Sequence, residues 1–375
     1  MRIGIPTETR PGEVRVAGTA ETVKKLVAAG HQVLVQAGAG LPAAQTDAAY
    51  AAAGAEIVAP EAAFSCDLVL KVRSPQAAEL NQMRRGAAVV GMLDPFDRDG
   101  LEAMAAAGLT AFALEAAPRI TRAQSLDVLS SQANIAGYKA VLIASNVYPR
   151  FFPMLMTAAG TVKAARVLVL GAGVAGLQAI ATAKRLGAVV EAFDVRPDVK
   201  EQVESLGAKF VEVPLTAEEA TLAKGQGGYA REMGDDYKRR QSVLVAERVA
   251  LADVVITTAL IPGRAAPLLV TDAMVSAMRA GAVIVDMAAG RGADGVCGNC
   301  ESSAADRTVV RHGIVIVGET NLPAMLAADA SALYARNVLD FLKLVIDAQG
   351  NLHVDTEDEI VRAVLMCRDG QVLRA

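Results

Sequence analysis

A chain of 375 residues is longer than one compact core usually serves, so two domains are expected. The formal net charge is −4 and the 37 Lys and Arg are interspersed with 41 Asp and Glu, which argues against nucleic acid as the main partner. Four cysteines in a chain of this size are too few for a disulfide framework and point to a reducing compartment.

The opening MRIGIPTETRPGEVRV lacks the apolar stretch of a signal peptide, and the longest uncharged run, 167–183, is punctuated by glycines, so no membrane insertion is expected. In chain order, residues 2–6 read as a strand and 22–29 as a helix, because Val23, Leu26 and Val27 share a helical face. Strand-like runs at 32–36, 57–58, 68–72 and 87–92 then alternate with helical stretches, the pattern of an α/β domain with a mainly parallel sheet. Residues 118–132, PRITRAQSLDVLSSQ, hold more hydrogen-bonding side chains than a linker needs. They are either a site segment or a polar helix start capped by Ser125 or Asp127. From 127 to about 146 the pattern is a helix long enough to bridge domains.

The stretch 166–194, RVLVLGAGVAGLQAIATAKRLGAVVEAFD, organises the second half. A β-branched and leucine run leads into Gly171, Gly173 and Gly176 in G-x-G-x-x-G spacing, followed by helix formers and a second apolar strand ending on Asp194. The first glycine permits the tight turn, the second lets backbone approach a pyrophosphate, and the third lets helix and strand pack closely. Asp194 stands where a carboxylate accepts hydrogen bonds from the ribose hydroxyls, which favours NAD over NADP; Arg196 keeps a 2′-phosphate open as an alternative.

Further short apolar runs at 208–213, 254–259, 282–286 and 314–317 continue the alternation. Residues 224–240, KGQGGYAREMGDDYKRR, break it and are expected to be a mobile surface loop with a tyrosine as lid. The run ITTALIPG places Thr258, Ala259 and Leu260 at a strand end where a ligand crevice forms. An amphipathic helix is expected from 321 to about 346, with Leu339, Leu342, Val345 and Ile346 on one side, and two strands around the turn Arg368-Asp369-Gly370 in 361–373. Cys297 and Cys300 have thioredoxin-like spacing without its context, His31, His312 and His353 lack metal-ligand spacing, and no nucleophile motif is present. No metal site is expected. A dinucleotide site without an evident acid or base is the result.

The strings PRITRAQSLDVLSSQANIAGY, GAGVAGLQAIATAKRLGAVVEAFDVRPDVKEQVESLGAKF, GGYAREMG and TTALIPG, with the opening RPGEVRVA, resemble the NAD(H)-binding component, domain I, of proton-translocating NAD(P) transhydrogenases over nearly the whole chain. The resemblance implies two Rossmann-like doubly wound parallel-sheet α/β domains, separated by a cleft and joined by long helices. One comprises residues 1–127 plus 325–375; the other is the NAD-binding domain 128–324. It implies a homodimer that passes hydride directly from NADH to NADP+ held on a partner (beta) subunit, coupled to proton translocation by transmembrane subunits. It also implies a cytoplasmic chain attached to the inner membrane through those partners, and the stop at Ala375 resembles the split form of the enzyme.

Such transfer needs orientation and no general acid or base. By resemblance, Arg119, Asp127 and Ser130 hold the nicotinamide carboxamide and ribose, Gln124 reaches towards NADP, and Ile120, Thr121 and Arg122 belong to the same cofactor loop. Gly171, Ala172, Gly173, Val174 and Gly176 match the pyrophosphate contacts and Asp194, Val195 and Arg196 the adenosine contacts. Arg196 thereby becomes part of an NAD site. Gly228, Gln241 and Leu260 match further nucleotide contacts, beside the strand-end candidates Thr258 and Ala259, and Tyr229 matches the tip of a mobile loop.

Alanine dehydrogenase is the rival enzyme. Arg15 and Lys71 match its substrate-holding positions, but Met92 stands where its catalytic histidine should, and a thioether cannot protonate an imine. An NAD-sensing module without catalysis is a third reading. One departure from the transhydrogenase pattern is an apparent insertion in DMAAGRGADGVCGNCE, from Asp286, which leaves any contact from Asn299 open.

Overall fold

The computed structural model describes residues 1–214, 234–293 and 296–374. It divides into two units, Met1–Gln132 with Pro323–Ala375, and Ala133–Leu322.

Among the described residues the first unit carries an eight-stranded sheet. Its spatial order is Gln371–Val372, Leu365–Arg368, Thr110–Ala113, Ala88–Met92, Leu68–Arg73, Arg2–Ile5, Gln32–Gln36 and Glu56–Val58. The strands from Thr110–Ala113 onward pair in parallel, which explains their near-continuous apolar runs: helices cover both faces. Successive side chains go to opposite layers. Leu68, Leu70 and Val72 pack with Val33, Val35 and Phe341, whereas Val69 and Val89 pack with Met104 and Leu109.

The chain returns to this unit through the helix Ala327–Val345, which buries Tyr334, Val338, Phe341, Leu342 and Val345. Phe341 meets Phe112 at 5.3 Å between ring centroids. Leu339 and Ile346, expected on that stripe, are half-buried at its edge. The tail corrects the sequence reading in part. Residues 361–364 belong to a helix, Glu359–Val364, because the Asp358 carboxylate caps Ile360 and Val361 N–H. The expected turn follows, with Asp369 and Gly370 at φ 52° and 78° between two antiparallel strands.

The second unit holds a seven-stranded sheet in the order Lys209–Val211, Val189–Phe193, Arg166–Leu170, Val254–Thr257, Val283–Asp286, Ile314–Val317 and Thr308–Arg311. All neighbours are parallel except the last pair. Val167 and Val169 face one apolar layer and Leu168 and Leu170 the other. Both units are therefore Rossmann-like, as the alternation of strands and helices predicts.

Thr110–Ala113, Thr308–Arg311 and the hairpin of Leu155–Thr157 with Gly160–Val162 carry too little periodicity to be read as strands from sequence. The loop expected at 224–240 is also shortened. Residues 235–240 open the helix Asp235–Leu251, where Asp235 and Asp236 favour the N-terminus and Asp236 pairs with Arg239 and Arg240. Tyr229 and the rest of the expected lid lie outside the described residues. Among the described residues no helix is long and apolar enough to cross a membrane.

Candidate functional site

In the second unit, Arg166–Leu170 lies between Val189–Phe193 and Val254–Thr257, where the direction of strand progression reverses. At such a switch point the carboxyl ends of the strands splay connections to opposite sides and leave a crevice. Gly171 leaves the strand at φ +103°, and its missing Cβ would lie 2.6 Å from Thr258 Oγ1. A Cβ on Gly176 would come within 1.9 Å of the Gly171 carbonyl oxygen, so the third glycine is dictated by backbone contact.

Gly173 differs: the nearest atom to its Cβ position is Arg196 Nη2, at 3.9 Å. Nothing in the fold forbids a side chain there, and the space suits a ligand that must approach backbone. Gly173 also precedes the helix Val174–Arg185, which no side chain caps. Its first N–H groups and positive dipole end are thus available to an anion, and the cradle fits a pyrophosphate. Behind it, a Cβ on Gly137 would lie 2.1 Å from the Ala175 carbonyl oxygen, so close helix packing fixes the cradle from below.

Asp194 is more occupied than the sequence suggests. Its Oδ2 accepts from Ala172 N–H at 2.7 Å and Arg196 Nη2 at 2.8 Å, and its Oδ1 from Arg196 N–H at 2.8 Å and Nε at 3.0 Å. Four donors fill the acceptor capacity of a carboxylate. Asp194 therefore ties the glycine loop to the strand beside it and neutralises Arg196. Val195 is half-buried against the apolar layer.

Thr258 donates from Oγ1 to the Gly171 carbonyl at 2.9 Å, joining the two strand ends. Asn299 bonds Ala259 through both its groups, Oδ1 accepting from N–H and Nδ2 donating to the carbonyl, each at 3.0 Å. Asn299 is in turn held by the fully buried Asp286, whose carboxylate accepts from Thr257 Oγ1, Ser303 Oγ and the N–H groups of Ala288, Asn299 and Cys300. The sequence left any contact from Asn299 open and gave Asp286 no anchoring role; in the structure both act as anchors. The described residues on either side of 294–295 leave this contact in place. Leu260 is exposed and Gln241 half-buried on the helix Asp235–Leu251, while Gly228 lies outside the described residues. Burial pushes the Cys300 thiol up to about 12, so it stays protonated at neutral pH.

In the first unit, Thr121–Leu126 forms a 3₁₀ turn before the helix Val128–Val147. Asp127 accepts from Ser130 N–H at 2.9 Å and Ser130 Oγ at 2.6 Å, so it caps that helix and brings these two candidates together. Arg119, Thr121 and Gln124 are exposed and Ile120 is half-buried on the core. Arg122 is turned to Asp358, with bonds of 2.5 and 3.0 Å.

The same unit contains the two cations of the rival reading, both consumed by the protein's own carboxylates. Arg15, 2% exposed, grips Glu13 with two bonds of 2.7 and 2.6 Å and Gln132 with one of 2.7 Å. Lys71, 1% exposed, lies 2.6 Å from Glu79 and 3.2 Å from Glu8. Burial alone would raise the Glu13 carboxyl, but Arg15 and Arg73 outweigh it and hold it at about 2. A substrate carboxylate would have to displace a buried ion pair to reach either cation. Among the described residues no group of His, Cys, Asp and Glu is placed to hold a metal ion.

Known proteins place this geometry in context. The family model described as "Alanine dehydrogenase/PNT, N-terminal domain" matches residues 4–136, and "Alanine dehydrogenase/PNT, C-terminal domain" matches 140–375. The chain is 49% identical over 382 residues to an NAD(P) transhydrogenase subunit alpha chain of Rhodospirillum rubrum, covering 100% of this chain and 98% of that one. Its fold matches the crystal structure of transhydrogenase from Sinorhizobium meliloti with TM-score 0.89, at 49% identity and 100% of both chains. It matches an L-alanine dehydrogenase with TM-score 0.83, at 28% identity over 100% of this chain and 97% of that one. With a nucleotide-type glycine cradle in one unit and a self-neutralised ion cluster in the other, the chain belongs to the alanine dehydrogenase/PNT family and, within it, to the NAD(P) transhydrogenase alpha subunits.

Proposed function

We propose that this chain binds NAD(H) and exchanges hydride directly with NADP(H) held on a partner subunit, in a complex whose membrane-spanning subunits couple the exchange to proton translocation. The observation that carries this reading is the glycine cradle, in which Gly173 leaves ligand space that the fold itself does not require. The dihydronicotinamide supplies the hydride. The chain's role is to bind, orient and exclude water.

In this reading the N–H groups at Gly173 to Gly176 hold the pyrophosphate, with Ala172 tying the turn to Asp194, and Asp194, Val195 and Arg196 meet the adenosine end. Ribose hydroxyls would bind Asp194 by exchanging with Arg196, and the carboxylate at this strand end would repel a 2′-phosphate; this supports NAD(H). Thr258, Ala259, Leu260, Gln241, Gly228 and Tyr229 complete the nucleotide contacts. Arg119, Asp127 and Ser130 hold the nicotinamide end, with Ile120 and Thr121 beside them, and Gln124 faces the partner. Arg122, of the same loop, is paired with Asp358, which steadies it beside the nucleotide. A homodimer attached to the cytoplasmic face of the inner membrane through its partners completes the proposal. The hairpin Leu155–Thr157/Gly160–Val162 supports the dimer, because a two-stranded ribbon is marginal alone and this one exposes Met156 with its neighbour Met154.

The test is to mix the protein with an NADP-binding transhydrogenase component and follow reduction of an NADP analogue by NADH. Oxidation of L-alanine with NAD and no transfer between nucleotides would instead establish the alanine dehydrogenase reading, which Met92 and the consumed Arg15 and Lys71 disfavour. Binding of NADH with neither activity would establish a sensor.

A further inference from the structure

The 119–131 segment is held by two side chains from the C-terminal return, neither of which belongs to a sequence motif of the nucleotide site. Asn337, 8% exposed on the helix Ala327–Val345, donates from Nδ2 to the Ser125 carbonyl at 2.7 Å. Its Oδ1 accepts from Ser131 Oγ, also at 2.7 Å. One amide thus bridges the 3₁₀ turn to the first turn of the following helix and straddles Asp127. The bridge requires a donor and an acceptor on one short side chain: Asp has no donor, and Leu has neither.

Asp358 grips the same segment from the exposed side. It takes both terminal nitrogens of Arg122 while its Oδ1 also caps Ile360 and Val361 N–H, so the carboxylate that anchors Arg122 is itself fixed at a helix start. A bidentate pair of this kind fixes direction as well as distance. Arg119 and Gln124 therefore project from a turn held through the Ser125 carbonyl and the Arg122 side chain, ahead of a helix held through Ser131 Oγ.

We propose that Asn337, seconded by Asp358, is a positioning residue for hydride transfer, setting the attitude of the Arg119–Asp127 turn towards the nicotinamide. The proposal rests on the function proposed above. Asn337 holds the Ser125 carbonyl and Ser131 Oγ, and Asp358 the Arg122 guanidinium, so their loss should misalign the reacting groups more than it weakens nucleotide binding. Misplacement of about 1 Å costs on the order of 10²-fold in rate.

The experiment uses the intact chain. Asn337→Asp keeps size and acceptor but removes the donor to Ser125; Asp358→Asn weakens the Arg122 clamp nearer the surface and provides a second variant independent of the core. With the NADP-binding component present, Asn337→Asp should slow single-turnover transfer by about 10- to 100-fold at saturating NADH. Its NADH dissociation constant should change by less than about threefold. Amide exchange should accelerate in residues 119–131 and not elsewhere, with Asp358→Asn shifting both readouts in the same direction by less. Unchanged transfer and exchange in both variants would overturn the proposal, as would a parallel fall of affinity, rate and thermal midpoint, which marks a purely structural role. Should the wild-type chain transfer no hydride, the function reading falls and the positioning role falls with it, whereas a wild type that transfers beside variants with unchanged transfer sinks the positioning role alone.

Discussion

The glycine turn of the second unit and the 119–131 segment of the first, both proposed to serve a nucleotide, are built on different physics. The former is a backbone object: Gly171, Gly173 and Gly176 shape it, the sheet fixes its ends, and Asp194 ties it through Ala172 N–H. The latter is a side-chain object, pinned by Asn337 and Asp358, which lie more than 200 residues away in sequence. Backbone shape is written locally; side-chain clamps depend on what the fold brings alongside.

The first unit also shows how a charged cluster can be present without serving substrate. The largest expected effect tests this. Lys71→Ala leaves Glu79 and Glu8 buried without their cation and should cost about 3–5 kcal/mol in chemical unfolding. NADH binding by the folded fraction should change little, since Lys71 and its partners Glu8 and Glu79 belong to neither the glycine turn nor the 119–131 segment. A variant as stable as the wild type would show that Lys71 does not hold the cluster together.

The glycine turn is tested by a pair of variants. Gly176→Ala drives a Cβ to within 1.9 Å of the Gly171 carbonyl and should cost about 3 kcal/mol and abolish NADH binding in a fluorescence titration. Gly173→Ala meets no fold atom closer than 3.9 Å, so its unfolding should change little while NADH affinity drops about tenfold. Equal effects on stability from the two substitutions would erase the distinction between a glycine the fold needs and one the ligand needs.

The smallest effect concerns protons. Glu115 accepts from Leu93 N–H at 3.2 Å and Asp94 N–H at 2.7 Å, and burial raises its carboxyl from 4.5 to about 7 despite these bonds. The folded chain holds this proton more tightly than the unfolded one. The stability it contributes is therefore complete below pH 4.5 and is lost as pH rises through about 7. In Glu115→Gln that slope should disappear, narrowing the difference in unfolding free energy between pH 5 and pH 8 by about 1–2 kcal/mol, a figure reduced because the side chain is only half-buried. Parallel pH profiles for the two proteins would assign the titration to another group.

Much of this was legible in the chain. The strand at 166–170, the glycines, Asp194 and the strand ends at Thr258 follow from apolar periodicity and glycine spacing, because each is decided by residues within one βαβ unit. Short or edge strands such as Thr110–Ala113 and Thr308–Arg311 were not, since a sheet partner rather than their own pattern makes them strands. The helical start of residues 235–240 was hidden because a charge-rich stretch reads as loop until its i,i+3 and i,i+4 pairs are seen in place.

The sequence by itself determined that both halves are α/β and that a tight glycine turn opens a helix at Gly171–Gly176, since hydrophobic period and steric permission are local properties. Only the tertiary structure decided which polar residues are spoken for. Arg15 and Lys71 are neutralised within the core, Arg122 is turned to Asp358, Asp194 is saturated by Arg196 and Ala172, and Asn299 and Asn337 emerge as anchors. The physical reason is that a polar group's role depends on its partners in space, and the fold chooses those partners from distant stretches of the chain.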